Sequence, residues 1–308
     1  MTPPLRVILT ADIGPAAAVL GAGHTTDSRW EETQSGLAVS TEVLRSIQDR
    51  FQVALPVTWF IRADRLILQQ FGDRLAIFDM FADFTQQALK DGHEVGWLPQ
   101  VYGGGDAGIS YEDLSTTHGA LTRAALAPRS VRMGNCFHDN RTMAILDELG
   151  VRSDSSAIPG RTKDDLGWRM DWTGTPAAPY HPAVADYRAP GAPQLGILEV
   201  PLTVRPLKAP YDQAPLLRYV NPCMHREFFG QNLGEIIESR SYLLCIFHPD
   251  EAVPPRSGNG HPLVAYAKEE LAFNLAQLFA LADSAGRAVT FHTLESFSRT
   301  AVADASCR

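Results

Sequence analysis

Apolar runs rich in β-branched and aromatic residues alternate with longer stretches of helical period. Val7 to Thr10, Pro56 to Ile61, His93 to Leu98, Ser130 to Met133, Val151 to Asp154, Ile197 to Leu202, Tyr242 to Phe247 and Ala288 to Phe291 read as buried strands. Between them, helices are expected at about 40–51, 74–91, 110–126, 140–149, 224–239 and 264–285. The first carries Leu37, Val43, Leu44 and Ile47 at helical spacing with Ser40 as its cap, and the second carries Leu75, Phe78, Phe81, Ala82, Thr85 and Leu89. Ser110 and Asp113 make a capping-box pattern for the third, and Gly150 ends the fourth. Residues 16–40 read as a polar, turn-rich segment, Val101 to Gly108 as a loop, and 158–196 as a long Pro-, Gly- and Trp-rich loop without period.

Single helices between short strands imply parallel βαβ units. No linker, composition break or internal repeat divides the 308 residues, so the chain reads as one α/β barrel-like domain spanning 1–308. Polar residues fall just after the strand runs: Asp12, Arg62 with Asp64, Arg132, His138, Asp154 with Ser155 and Ser156, and His248 with Asp250 and Glu251. In a barrel these positions share the C-terminal mouth of the strands. Any one of them alone reads as a cap or surface residue. Together, an Asp, an Arg and a His offer a base, a group to orient it and an acid.

Composition narrows the partners. A formal charge of −8 and the lack of a Lys/Arg cluster argue against nucleic acid or an anionic membrane. No run approaches the ~20 apolar residues of a membrane span, and the N-terminus shows no apolar signal core. Cys136, Cys223, Cys245 and Cys307 are too sparse for a disulfide scaffold. A cytoplasmic protein acting on a small molecule is the expectation, with oligomeric state left open.

The order of motifs resembles the polysaccharide deacetylase family, the carbohydrate esterases related to nodulation-type chitooligosaccharide deacetylases. Thr10-Ala-Asp12-Ile13-Gly-Pro15 is similar to that family's Thr-Phe-Asp-Asp-Gly-Pro, and Val57-Thr-Trp-Phe-Ile61 to its Ala-Thr-Phe-Phe-Val strand. Gly92-His-Glu-Val-Gly96 resembles the Gly-His-Glu-Ile-Gly that precedes the family's metal-binding histidines, and Val131-Arg132-Met133 its Phe-Arg-x-Pro strand. Leu146 to Val151 with Asp154-Ser-Ser156, Ile197 to Pro201, and Leu244-Cys-Ile-Phe-His248-Pro249 fit the later elements. The resemblance covers nearly the whole chain and implies a distorted (β/α)7-type barrel. It also implies Asp12 as catalytic base, Arg132 as the group orienting it and His248 as general acid.

The departures fall on the metal. The family's ligand positions are Ile13, Leu98 and Tyr102 here, and the alternative spacing places Trp97-Leu98-Pro99-Gln100 where histidines would stand. Isoleucine and leucine cannot ligate zinc, and a zinc site needs about three protein ligands. No cofactor is therefore expected, with zinc only if ligands have been relocated. Cys136-Phe-His138, Cys223-Met-His225 and Cys245 with His248 are the candidates for that, although none has Cys-x-x-Cys pairing. The expected function is hydrolysis of an amide or ester in a carbohydrate or small polar biosynthetic intermediate, by metal-free acid/base chemistry at Asp12 and His248. The alternatives are a pseudoenzyme that binds a sugar-like ligand or a protein partner, and a hydrolase with a relocated metal.

Arg62, Asp64, Trp97, Tyr102, His138 and Trp168 are the expected substrate-binding residues. Trp172 and Tyr180 join Trp168 as loop aromatics suited to a sugar-sized pocket. His93 reads as a core histidine. Gly103 to Gly105 lacks a following Lys-Ser/Thr, and Ser155-Ser156 lacks a Gly-x-Ser-x-Gly elbow, so neither a phosphate loop nor a serine hydrolase is indicated.

Overall fold

The computed structural model describes residues 3–14, 27–101, 110–165, 168–255 and 260–306. In chain order the elements are β1 (Leu5–Ile13), α1 (Asp27–Phe51), β2 (Val57–Arg62), α2 (Arg65–Phe71), α3 (Ala76–Met80), α4 (Ala82–Lys90), β3 (Glu94–Leu98), α5 (Tyr111–Arg123), β4 (Ser130–Val131), α6 (Asn140–Glu148) and β5 (Ser153–Asp154). They continue with β6 (Thr162–Asp165), β7 (Trp168–Asp171), β8 (Pro182–Ala183), β9 (Asp186–Pro190), β10 (Leu198–Glu199), β11 (Val204–Leu207), β12 (Leu216–Tyr219), α7 (Arg226–Phe229), α8 (Leu233–Ser239), β13 (Tyr242–Phe247), α9 (Lys268–Ser284), β14 (Val289–His292) and α10 (Leu294–Ser306). The class is α/β, and the parallel strands are those of a distorted (β/α)7-type barrel.

Contacts divide the chain into two compact units. One comprises β1, α1 and Thr203–His292, and the other comprises Thr58–Leu202 with the chain from Thr293 onwards. In the first, β1 is flanked by β13 and β14, all parallel. Nearly every residue of β1 and all of β13 are buried, as a central parallel strand covered on both faces requires. In the second, the parallel order is β10-β5-β4-β3-β2. Gly96 of β3 is needed there because a Cβ would lie 2.6 Å from the Phe60 ring of β2.

Several sequence expectations are corrected. Of the turn-rich segment at 16–40, residues 27–40 are helical, and α1 runs unbroken to Phe51. Trp30, Thr33, Leu37, Ser40, Val43, Leu44 and Ile47 form its buried stripe, so Ser40 is a core position and not a cap. Small polar residues at two stripe positions hid the period. Gly36 belongs to the same face. A Cβ there would stand 2.0 Å from the Pro249 carbonyl oxygen, so a helix-weakening residue is what lets α1 pack.

The helix expected at 74–91 is two, α3 and α4, meeting at a non-helical Phe81 (φ −110°, ψ 26°), and Leu89 is exposed. The helix expected at 224–239 is likewise split, with Asn232 left-handed at φ 56°. Buried Arg205 donates to the carbonyls of Phe228, Phe229 and Gln231, which takes up the acceptors at the end of α7. Ser110 makes no side-chain cap on α5. Asp113 instead accepts the Arg65 N–H at 2.8 Å and pairs with Arg74. The loop at 158–196 contains the antiparallel pairs β6–β7 and β8–β9. The charged sequence of β6, Thr-Lys-Asp-Asp, shows no inward-outward alternation to read. The reading also lacked α2, α10 and the β11–β12 hairpin.

Candidate functional site

The first unit carries two of the expected catalytic residues. β1 and β13 are in register from Arg6 opposite Tyr242 to Ala11 opposite Phe247. One step further along the two strands stand Asp12, still in β1, and His248, still extended at φ −110°, ψ 139°. Matched positions on parallel neighbours face the same side, so the carboxyl and the imidazole leave the sheet together. They do so at the C-terminal end of the strands, where α/β folds build sites. Asp12 is buried and His248 is half-buried.

Pro249 then opens a short 3-10 turn, Pro249–Ala252, that brings two more carboxyls beside the imidazole. Glu251 Oε2 accepts the His248 backbone N–H at 2.9 Å and Asn221 Nδ2 at 2.8 Å. The Asp250 side chain is 6% exposed, and its Oδ1 has no hydrogen-bond partner. Burial pushes both carboxyls above the usual range, opposed by the nearby charge of His248. Cys223 lies close by, its thiol held protonated first by burial and then by the charges of Glu251 and Asp250. Burial likewise pushes Cys245 up to about 12.

The second unit holds a different cluster. His138 Nε2 lies 2.9 Å from Asp154 Oδ2, and both side chains are fully buried. The two atoms approach without an aligned hydrogen bond, since neither has a hydrogen-bond partner. Thr142 Oγ1 meets His138 Nδ1 at 2.6 Å, and Ser156 donates to Asp154 Oδ1 at 2.5 Å. Glu199 stands opposite Asp154 in the β10–β5 register and accepts the Ala157 N–H at 3.0 Å. Burial outweighs that bond and drives Glu199 well above the carboxylate range, with the Asp154 charge adding to the shift. Asp154 goes the other way, because the His138 charge and surrounding hydrogen bonds overcome its burial. Glu199 thus holds the proton and Asp154 the charge. The Tyr187 ring stacks on His138 at 5.8 Å, and Trp172 meets it edge-on at 5.9 Å.

Arg132 belongs to this unit and is fully buried. Its Nε donates to the Ser155 carbonyl at 2.7 Å and an Nη to Ser155 Oγ at 3.0 Å, with the guanidinium 4.6 Å from the Phe60 ring centre. The turn that follows holds Asn135 and Cys136 both left-handed, at φ 54° and 56°. Such non-glycine positions cost of order 1–3 kcal/mol each and cluster at sites.

The expected substrate-binding residues divide. Arg62 and Asp64 pair at 2.7 Å, and Asp64 Oδ1 caps α2 by accepting Leu66 N at 2.7 Å and Ile67 N at 3.0 Å. Both are committed to holding β2 and α2 in place. Trp97 has no exposed face and donates to the Ala63 carbonyl at 2.9 Å, which makes it a core ring. His138 is likewise sealed, its side chain fully buried. Trp168 lies in β7, its side chain outside what is described, and Tyr102 falls outside the described residues. Trp172 and Tyr180, expected to line a pocket, are buried.

Ile13 and Leu98, at two of the family's ligand positions, are buried aliphatic side chains that offer zinc no donor. Among the described residues, no group of three or more His, Cys, Asp or Glu is placed to hold a metal. Sequence reasoning missed Asn221 and Glu199. Glu199 did leave a signal, being an acid inside an otherwise apolar strand.

The parallel strand order is that of an α/β barrel-like fold, and the motif order resembles that of the polysaccharide deacetylase family. No protein-family model and no curated protein matches the sequence. Among solved structures, the chain is similar to a Mycobacterium smegmatis protein assigned as a polysaccharide deacetylase, at 17% identity and TM-score 0.49 over 98% of this chain and 94% of that one. It is also similar to a family 4 carbohydrate esterase from Streptomyces lividans in complex with acetate, at 10% identity and TM-score 0.37 over 90% of each chain. A 4-alpha-glucanotransferase from Thermococcus litoralis matches at 11% identity and TM-score 0.47 over 96% of this chain and 38% of that one. The likeness is one of fold, and the differing activities of these proteins stay theirs.

Proposed function

We propose that this single-domain chain is a hydrolase of an amide or ester in a carbohydrate or small polar intermediate, working by acid/base chemistry without the family's metal. The observation that carries the reading is the register of β1 and β13, which sets Asp12 and His248 side by side at the strand ends beside the buried aliphatic Ile13. In this reading Asp12 takes the proton of an attacking water, and His248 protonates the leaving amine or alcohol. Arg132 is the residue the resemblance implies for orienting the base. A cytoplasmic address suits a small substrate better than a wall polymer.

The test joins elemental analysis of the purified protein to a release assay over acylated amino sugars and related intermediates. Turnover without stoichiometric metal, lowered about 10²–10⁴-fold by Asp12→Asn and by His248→Ala, is the expected result. Zinc removed by a chelator together with activity would overturn the metal-free claim. Ligand binding with no turnover in any arm would leave a pseudoenzyme, the reading that the replaced ligand positions also favour.

A further inference from the structure

We propose that Gln100 is the reading group of a binding site in the second unit, for a neutral ligand that carries a hydrogen-bond donor and acceptor side by side, as the adjacent hydroxyls of a sugar do. The site goes beyond the acid/base reading above and stands whether or not Asp12 and His248 turn a substrate over.

Gln100 follows β3 by two residues, at the C-terminal end of the parallel strands, where α/β folds bind ligands. The tie between β3 and β4 continues past both strands. The Arg132 N–H donates to the Trp97 carbonyl at 3.0 Å and the Gly134 N–H to the Pro99 carbonyl at 2.7 Å. The chain at Gln100 is thereby fixed against the turn Gly134–Cys136. A Cβ on Gly134 would stand 3.3, 3.1 and 3.2 Å from the Cβ, Cγ and Cδ of Gln100, so the stem lies in the space a side chain would fill. Gly134 is not among the residues at positive φ. Its backbone does not call for glycine, and the Gln100 stem does.

The amide at the end of that stem is unused. Gln100 is 6% exposed, and its side chain makes no hydrogen bond among the described residues. A glutamine amide offers two N–H donors and an acceptor oxygen, and buried groups of this kind are paired in folded proteins. The partner has to come from outside the chain. Gly134 is half-exposed and Asn135 exposed, which leaves a way in beside the stem. The left-handed Asn135 and Cys136 give the same turn a costly backbone, held by Trp172 Nε1 donating to the Cys136 carbonyl at 2.9 Å. An uncharged group that donates and accepts at neighbouring atoms is matched by a neutral ligand that does the same.

The experiment is a ¹H–¹⁵N NMR titration of the full-length protein with glucose and, separately, with N-acetylglucosamine. It follows the side-chain amide of Gln100, assigned as the signal pair lost in Gln100→Met. A saturable shift of that pair is expected. Both sugars acting alike would assign recognition to the hydroxyls, and N-acetylglucosamine acting alone would assign it to the acylamino group. Gln100→Met keeps the length of the stem and removes its hydrogen bonds, so it should weaken binding about tenfold or more. Gly134→Ala should weaken it too, by pushing the stem aside with no polar group gained or lost. An amide pair that neither sugar moves has water as its partner and overturns the proposal without reference to any variant. So does Gln100→Met binding as tightly as wild type with native circular dichroism. Turnover in the release assay with an unmoved Gln100 would sink this inference and spare the hydrolase reading, and a moved Gln100 in a protein without turnover would do the reverse.

Discussion

Each unit of the molecule groups one histidine with two carboxyls, and the two clusters differ in what surrounds them. His138, Asp154 and Glu199 are sealed, with ion-pair side chains fully buried and aromatic rings closing over the imidazole. His248, Asp250 and Glu251 stand at a strand end with the imidazole half-buried. The sealed cluster spends its polar capacity inward, on Ser156, Thr142 and the Ala157 N–H. Both clusters leave carboxyl oxygens without a hydrogen-bond partner, and in the second Glu251 also ties the His248 backbone N–H. A histidine near acids is thus not in itself a site. Access is what separates the two clusters.

The largest effect is expected from breaking the sealed cluster. His138→Ala removes the imidazole that lies 2.9 Å from the buried Asp154 carboxylate and leaves that carboxylate without it. Loss of one partner of a buried pair costs about 3–5 kcal/mol. Equilibrium urea unfolding should show a loss of that order. A loss below about 1 kcal/mol would mean that His138 is neutral in the folded protein and that the contrast between the clusters is mis-drawn.

Next comes the seat of the open cluster. Gly36→Ala would drive a Cβ to within 2.0 Å of the Pro249 carbonyl, a contact with backbone that no rotamer change relieves. Overpacking of this kind costs about 1–3 kcal/mol. Because Pro249 begins the turn that aims His248, the variant should also alter the His248 imidazole titration. His138 should be unmoved. Equal shifts at both histidines would show a global loosening and blur the comparison.

The two clusters were unequally legible in the sequence. Asp12 and His248 follow apolar runs whose ends are marked by Gly-Pro and by Pro, so strand and site were read together. The register that makes them neighbours is a tertiary fact, and only the parallel pairing of β1 with β13 supplies it. The burial of His138 could not be read because a residue five positions past a strand run carries no sign of being sealed. The seal comes from Trp172 and Tyr187, on a segment whose paired strands lack a readable period. α1 was shortened for a related reason. Thr33 and Ser40 occupy buried stripe positions, and Gly36 answers to the approach of the Pro249 turn, which a linear pattern does not contain. The split of α7 from α8 follows from Arg205, a side chain far away in sequence.

The smallest effect sharpens the contrast by separating charge from proton within the sealed cluster. Glu199→Gln keeps an oxygen for the Ala157 N–H and an N–H for Asp154, so at pH near 5 it should cost less than about 1 kcal/mol. Its signature is in the pH dependence. Asp154 is depressed from an ordinary value of 3.8, so its contribution is present above that value and is lost as pH falls through the folded one. Glu199 is raised from 4.5, so its contribution is fully present below 4.5 and is lost as pH rises through the folded value. Wild-type thermal stability should therefore decline on both sides, the alkaline decline reflecting forced ionisation of Glu199 beside Asp154. Glu199→Gln should flatten the Glu199 share of that alkaline arm and leave the acid arm in place. Thermal melts across pH 3–9, taken as the difference between variant and wild type, isolate that share from every other titrating group. If the difference is constant across the range, the proton does not sit on Glu199, and the sealed cluster holds its charge in some other arrangement.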